Sequence, residues 1–410
     1  METKQKFGLS DLAAIYILLW TIMPSMSSGT LYRVVLIGCA GIFVLSNFHE
    51  IFSDFVNLIA IVLLLGLYFA LSFVAYGQSY AIAHTINLNM YILVWLIGRH
   101  YFEHMPEKML PILTVILLAC IFVSVQAIRI VLRNPGALRA ATHSEESHSY
   151  ASYSYVFLSA QLVPFLLLAL KKYEIGNNRF FQAAALVCLV TSMGLVVCSG
   201  FLMANILMLL GIACIIVFYR FSATKLVAAL LILLFIVLFY RVLLETAFEL
   251  MLNLTKNNPY YYKKFYGFYK QLFFDAGTAS SYSRRLHLYV SSYTSLVNYP
   301  LLGSIVFTGR DKGGGHSSII DMFAAYGWVP GILYIRQLLG SSVRMIKTCE
   351  TPELKRVLLV CLLSLVLING CFDALSYTCA WVWYLLIPFV IYKAKSPESL
   401  FISRLSRGLI

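Results

Sequence analysis

Repeated apolar segments, each about twenty residues long, constrain this chain more than any other feature of its sequence. A helix of roughly 20 apolar residues is long enough to cross the hydrocarbon core of a bilayer. The composition agrees, since 60% of the residues are hydrophobic and only 12% are charged, whereas roughly a quarter are charged in a soluble globular protein. We therefore predict an all-α, polytopic membrane protein in which residues 1–410 form a single transmembrane domain.

The apolar segments and the polar stretches between them define a predicted topology. We predict about twelve membrane-spanning segments, at residues 10–26, 30–47, 55–76, 80–98, 109–128, 152–170, 181–198, 201–219, 224–240, 318–336, 356–373 and 377–392. With the N-terminus in the cytoplasm, 18 of the 31 Lys and Arg residues fall on the cytoplasmic side. Of the four short outer loops, only the first carries a basic residue, Arg33. This bias follows the positive-inside rule and predicts that both termini are cytoplasmic.

The remaining basic residues lie in or beside two longer outer segments, residues 129–151 and 241–317. Long loops cross a membrane largely regardless of their charge, so these segments do not conflict with the topology. The net charge of +13 favours membrane lipids and lipid phosphate, and not nucleic acid, as partners. The nine cysteines show no metal-binding spacing, although Cys371 and Cys379 flank one short loop and could pair if that loop faces an oxidising compartment.

The longer outer segment concentrates the residues that could carry chemistry. Within about thirty residues, it contains four cationic side chains and one imidazole, which belong to Arg284, Arg285, Arg310, Lys312 and His316. Imidazole is the group most often used for proton transfer near neutral pH. Arginine binds phosphate bidentately and stays charged. The run Gly313–Gly315 lets the backbone approach a ligand closely, but no Gly-Lys-Ser/Thr follows it, so it is not a nucleotide-binding P-loop.

Two further sets of residues extend this candidate site. Asp321 lies one turn into the tenth predicted span, where a carboxylate is costly unless a partner such as an arginine stabilises it. The shorter outer segment contributes Arg129, Arg133 and Arg139. Simpler roles remain open for all of them, because arginines at a membrane edge commonly act as anchors and a histidine at a helix start commonly caps it.

The order of residues around this segment resembles the O-antigen polymerase and O-antigen ligase superfamily. The resemblance rests on an arginine with an aromatic residue four positions later, a Pro-Leu-x-Gly, a glycine-rich turn into His-Ser, and a following glycine: Arg285, Tyr289, Pro300-Leu301-Leu302-Gly303, His316-Ser317 and Gly327. Twelve predicted spans, with one large outer loop between spans nine and ten, also resemble that superfamily. The resemblance therefore covers most of the chain.

The resemblance implies a GT-C-like, metal-independent transferase in the bacterial inner membrane, with its site facing the periplasm. The implied donor is an undecaprenyl-diphosphate-linked oligosaccharide, no cofactor is implied, and a chain-length regulator protein is a candidate partner. On this reading, the candidate catalytic residues are His316, Arg285 and Asp321, with Asp321 holding His316 or an arginine in place. The diphosphate would be bound by the following cations: Arg284, Arg285, Arg310, Lys312 and one of Arg129, Arg133 or Arg139.

Departures from the superfamily pattern separate the alternative functions. Ligases often carry Ser-Arg-Gly between the seventh and eighth spans, where this chain has Ser199-Gly200-Phe201, which favours a polymerase over a ligase. The second glycine after the histidine, Gly331, also comes one position late. A flippase or other transporter is less favoured, because transporters commonly contain internal repeats and the long loop has no counterpart in the first half of the chain.

Overall fold

In the computed structural model, all regular secondary structure in the described part of the chain is helical. The structure describes residues 7–23, 26, 29–51, 55–134, 137–140, 152–172, 178–219, 245–246, 248–259, 262–263, 265–267, 269, 281–315, 317–372 and 375–394. The α-helices are α1 (Leu9–Ile22), α2 (Thr30–Ser46), α3 (Phe48–Ile51), α4 (Phe55–Tyr76), α5 (Gln78–His104), α6 (Met109–Arg133), α7 (Ala137–Ala140), α8 (Tyr153–Lys172), α9 (Arg179–Ser199), α10 (Leu202–Phe218), α11 (Ser281–Asn298), α12 (Gly303–Thr308), α13 (Ser318–Tyr326), α14 (Trp328–Lys347), α15 (Pro352–Phe372) and α16 (Ile387–Ala394).

Five helical stretches in the described residues are long and apolar enough to cross a membrane: Pro106–Arg133, Tyr153–Leu170, Arg179–Ser199, Pro352–Phe372 and Tyr377–Ala394. Shorter apolar helices add to them: Leu9–Ile22, Thr30–Ser46, Val62–Ala75 and Leu202–Phe218. Large apolar side chains also point outward, as at Leu118, Phe122 and Val125 of α6. An apolar outer surface of this kind suits lipid contact. The structure is therefore consistent with a polytopic membrane protein, while the ninth predicted span, 224–240, lies outside the described residues.

The tenth predicted span is not a single helix. The prediction of one helix over 318–336 is wrong, because the chain breaks at Gly327, whose φ of 85° and ψ of −176° interrupt α13 and start α14. Pro330 falls in the first turn of α14, the part of a helix where proline is tolerated. The new helix then continues to Lys347, well beyond the predicted end of the span.

The two long outer segments are partly helical. Helix α6 continues to Arg133, so Arg129 and Arg133 lie on a helix one turn apart and not in a loop beginning at 129. Burial of Val131 explains the extension, since the apolar pattern of α6 continues past residue 128. Within the segment 241–317, residues 248–255 are helical, and α11 and α12 follow.

A buried ion pair marks one end of the helical bundle, which we call the Asp11 end. Lys108 Nζ donates to Asp11 Oδ2 at 2.8 Å, and the Tyr101 hydroxyl donates to Asp11 Oδ1 at 2.8 Å. Asp11 and Lys108 are 3% and 8% exposed, so each charge depends on the other. Removing one partner of a buried pair typically costs about 3–5 kcal/mol. The triad thus ties the start of α1 to the turn between α5 and α6.

The last helical stretch of the described chain forms the centre of the core. Between a short 3₁₀ turn, Tyr377–Cys379, and α16 lies a π-helical segment, Val382–Leu386, whose residues are fully buried. Trp383 Nε1 donates to Gln161 Oε1 of α8 at 2.9 Å, and the Tyr384 hydroxyl donates to the Leu338 carbonyl of α14 at 2.9 Å. This stretch therefore connects early and late parts of the chain.

The opposite end of the bundle, which we call the Asp321 end, is where α1 finishes. Trp20 near the end of α1 stacks on Tyr377 with ring centroids 5.7 Å apart. Two residues before Tyr377, the Leu375 N–H donates to Ser318 Oγ, at the start of α13, at 2.6 Å. The cysteines near this end, Cys371 and Cys379, are free thiols, so the pairing left open by the sequence is not present.

Candidate functional site

The candidate site lies where α11, the glycine-rich turn before α13 and the start of α13 meet. Asp321, in the first turns of α13, is at its centre. Its Oδ1 accepts hydrogen bonds from the Ser292 hydroxyl of α11 and from the Gly314 N–H, the latter at 3.2 Å. Its Oδ2 accepts from the Ser317 N–H at 2.7 Å. The carboxylate therefore holds the backbone two residues before and one residue after position 316.

His316 itself lies outside the described residues, but both of its neighbours are described. Gly315 has a φ of 73°, a left-handed conformation that glycine adopts without steric cost. Ser317 caps α13, since its hydroxyl accepts from the Ile320 N–H at 3.0 Å and donates to the Gly370 carbonyl of α15 at 2.9 Å. The backbone on either side of His316 is thus fixed by hydrogen bonds and by a glycine conformation.

The glycine-rich turn packs directly on the backbone of α11. A Cβ built on Gly314 would overlap the carbonyl group of Leu288, so only glycine fits there. Ser291 Oγ donates to the Lys312 carbonyl at 2.9 Å, and Ser292 Oγ accepts from the Gly314 N–H at 2.7 Å. This close approach gives the glycine run a packing role, which is distinct from the ligand approach predicted from the sequence.

The Pro-Leu-Leu-Gly stretch and the later glycine form a second backbone-to-backbone contact. Gly303 and Gly327 have φ values of 71° and 85°. A Cβ on Gly303 would overlap the Ala325 carbonyl, and one on Gly327 would overlap the Leu301 carbonyl. The Trp328 N–H donates to the Pro300 carbonyl at 2.8 Å. These widely spaced motif residues therefore dock the turn after α11 against the break between α13 and α14.

Helix α11 carries the predicted arginine pair and is anchored to α15. Arg284 and Arg285 lie in its first turns, and Tyr289 follows Arg285 by one helical turn. The Tyr289 hydroxyl donates to the Phe372 carbonyl at the end of α15 at 2.6 Å. Farther along α11, Ser295 Oγ donates to the Ala324 carbonyl of α13 at 3.2 Å. The aromatic residue of the motif thus serves as an anchor that sets the position of the helix bearing the arginines.

The two cations of the glycine-rich turn are exposed at the surface of the site. Lys312 Nζ lies 5.5 Å from the centroid of the Tyr299 ring, a cation–π distance. The Lys312 N–H donates to Ser304 Oγ at 3.1 Å, which fixes its backbone. Within the described part of the chain, neither Lys312 nor Arg310 forms an ion pair with a carboxylate. Both cations are exposed, so an anionic ligand can reach them.

The arginines of the shorter outer segment lie on α6 and α7. Arg129 and Arg133 are exposed at the end of α6, and Arg139 belongs to the short helix α7. The last turn of α6 borders a cavity of about 320 Å³ that also reaches the turn between α9 and α10. Its lining residues are Val131, Leu132, Val197, Cys198, Gly200, Thr255, Asn258 and Phe265. Leu132, the residue before Arg133, therefore lines the same cavity as Gly200.

Sequence reasoning identified Asp321 but missed its main partners. Ser292 and Ser317 are small polar residues in helical or turn segments, and such residues carry no signal that distinguishes a carboxylate partner from a solvated surface position. The Ser317–Ile320 bond is the exception, since a serine before an apolar run is a typical helix N-cap. The described partners of Asp321 are a hydroxyl and two backbone amides. The side chains of Arg284 and Arg285, two of the arginines predicted to pair with it, lie outside the described side chains.

No protein-family model matches this chain, and a search of curated proteins finds no match either.

Proposed function

We propose that this protein polymerises lipid-linked oligosaccharide repeat units of an O-antigen or capsular polysaccharide. It would transfer a glycan from undecaprenyl diphosphate to a sugar hydroxyl of the next repeat unit, at the periplasmic face of the inner membrane. One observation carries this proposal. The Asp321 carboxylate holds the backbone on both sides of His316 against α11, the helix that begins with Arg284 and Arg285.

The reaction needs positive charge at the leaving group. The bond between the anomeric carbon and the diphosphate oxygen breaks while the acceptor oxygen bonds to that carbon, and undecaprenyl diphosphate leaves with the electron pair. Preorganised donors stabilise such developing charge most strongly in a site that excludes water. Arg285, assisted by Arg284, Arg310 and Lys312, would supply them. Because guanidinium groups are fixed positive charges, this reaction requires no metal ion.

The acceptor hydroxyl must lose a proton in the same reaction. His316 would orient that hydroxyl or accept its proton, a contribution of typically 10²–10⁴-fold for general base catalysis. Asp321 would act as a positioning residue, because its carboxylate is already bound by Ser292, Gly314 and Ser317. The arginines that bind the diphosphate and the histidine that acts on the hydroxyl would then lie on α11 and on the glycine-rich turn, which pack together.

Polymerase is favoured over ligase by the surroundings of Gly200. This residue ends α9 in a left-handed conformation, with φ at 61°, where ligases often carry an arginine. The cavity beside it is bordered by the last turn of α6, which ends at Arg133. An arginine from the shorter outer segment could thus take the place of the missing one. This supports assigning the second diphosphate contact to that segment.

Surface glycan from a strain lacking the gene tests the proposal. Lipid A-core carrying a single repeat unit, with long chains restored by the wild-type gene, is the expected result for a polymerase. Long chains that accumulate on the carrier lipid, with none on lipid A-core, would instead identify a ligase. Repeat units that remain on the cytoplasmic side of the membrane would identify a transporter.

A further inference from the structure

Three side chains of types that commonly bind metal ions lie close together at the Asp11 end of the bundle, away from the candidate site. Glu50 of α3 lies beside His100 and His104, which are four residues apart on α5. His100 Nδ1 is 2.7 Å from Glu50 Oε2, and His104 Nδ1 is 3.6 Å from the same oxygen. One ligand atom from each of the three residues lies within 4.8 Å of the others.

The donor set and its spacing suit a zinc-type ion. Zn²⁺ binds imidazole nitrogen and carboxylate oxygen at about 2.0–2.1 Å in tetrahedral sites, which places the ligand atoms roughly 3.3 Å from one another. The two distances to Glu50 Oε2, 2.7 and 3.6 Å, fall on either side of that value. The oxygen that bonds to His100 thus also has the His104 imidazole nitrogen close to it.

The surroundings of the group hold one ligand in place and leave another accessible. The buried His100 ring packs edge-on against the Phe43 ring of α2, with centroids 5.6 Å apart. His104 is exposed, so an ion can enter from solvent and keep a water molecule as its fourth ligand. We propose that Glu50, His100 and His104 bind one Zn²⁺ ion that ties α3 to the end of α5.

This site is independent of the proposed transfer reaction. The α5–α6 turn that follows His104 carries Lys108, which pairs with Asp11 at the start of α1. The candidate site lies at the other end of the bundle, where α1 finishes against Tyr377. The ion would therefore stabilise the fold and take no part in the transfer step.

Zinc binding to the purified full-length protein tests this proposal. The protein, carrying an affinity tag without histidine, is treated with EDTA and then titrated with Zn²⁺ in competition with a chromophoric chelator. His104→Ala removes an exposed ligand and should weaken Zn²⁺ binding by at least about 100-fold, since even an outer partner of a metal ligand typically contributes about 10–100-fold. His49→Ala is the matched control, because it removes an exposed histidine of the same region without touching the group.

Two further measurements make the outcome specific. Co²⁺ should give visible absorption bands typical of tetrahedral coordination in the wild type and in His49→Ala, and not in His104→Ala. Added Zn²⁺ should raise the Tm of the same two proteins only, because an ion that binds the folded state stabilises it. Equal Zn²⁺ affinity in the wild type and His104→Ala, or an equal loss in His49→Ala, would overturn the proposal.

Discussion

The sharpest structural prediction concerns Asp321→Asn, which changes the carboxylate by a single group. If the asparagine carbonyl replaces Oδ1, it can still accept from Ser292 and Gly314. Its NH₂ group then replaces Oδ2 and faces the Ser317 N–H, so that two donors oppose each other where a 2.7 Å hydrogen bond existed. The substitution should therefore release the backbone that follows His316.

The expected size of the effect follows from the one bond that is lost. Hydrogen bonds to charged groups contribute about 1.5–3 kcal/mol, and we take about 1.5–2 kcal/mol because Asp321 is only half-buried. If the substitution raises the free energy of the turn's catalytic geometry by this amount, glycan transfer falls about 10- to 30-fold. A Tm lower by roughly 2 °C should accompany it, given the size of the chain.

Two assays on the same samples test this prediction: thermal unfolding in detergent, and chain length of the product glycan on a gel. Glu353→Gln makes the same change of charge at the exposed first turn of α15 and should alter neither measurement appreciably. Wild-type Tm and chain length in Asp321→Asn would refute the view that this carboxylate organises the turn. A loss shared equally by Glu353→Gln would refute it as well.

Three further predictions test the arginine, the backbone contacts and the topology. Arg285→Lys should impair transfer almost as badly as Arg285→Ala, because lysine cannot bind phosphate bidentately. The control variant Arg336→Lys should retain normal chain length. Full activity in Arg285→Lys would mean that Arg285 supplies only a generic positive charge. Gly327→Ala should destabilise the protein by at least about 1–3 kcal/mol, the typical strain of a left-handed residue, and an unchanged Tm would contradict the close approach seen there. A cysteine at Ser280 should react with an impermeant thiol reagent in intact spheroplasts and one at Ser396 should not; the reverse labelling would overturn the orientation.

The helical membrane character of the protein was predictable because it depends on long apolar segments, which the sequence displays directly. Helix limits were less predictable. The break at Gly327 depends on a close backbone contact with Leu301, and that contact joins residues far apart in the sequence. The extension of α6 to Arg133 depends on burial of Val131 by other helices.

The candidate site was predictable in its residue types but not in its contacts. Asp321 was noticeable because a carboxylate in an apolar segment needs partners. Those partners are a serine hydroxyl and backbone amides, which any sequence offers in abundance. The histidine pair, His100 and His104, was missed in the sequence, where its spacing of four residues was the available signal, and Glu50 approaches the pair only through the packing of α3 on α5.

The metal independence of the proposed reaction separates it from the zinc site. EDTA should remove an ion bound by Glu50, His100 and His104 and lower the Tm, while leaving transfer unchanged at temperatures well below unfolding. Transfer that disappears with EDTA and returns with a divalent cation would contradict an arginine-based mechanism, and would make Asp321 and His316 candidate metal ligands.

Transfer by His316 variants, measured with purified protein and lipid-linked repeat units, tests the central claim most directly. We predict that His316→Ala nearly abolishes polymerisation while the protein still inserts and binds its lipid-linked donor, because the arginines hold the diphosphate independently. His316→Gln separates the two possible roles, since glutamine can orient a hydroxyl through a hydrogen bond but cannot accept its proton at neutral pH. Normal chain length in His316→Ala would contradict the account and leave His316 as a polar residue at the start of a helix.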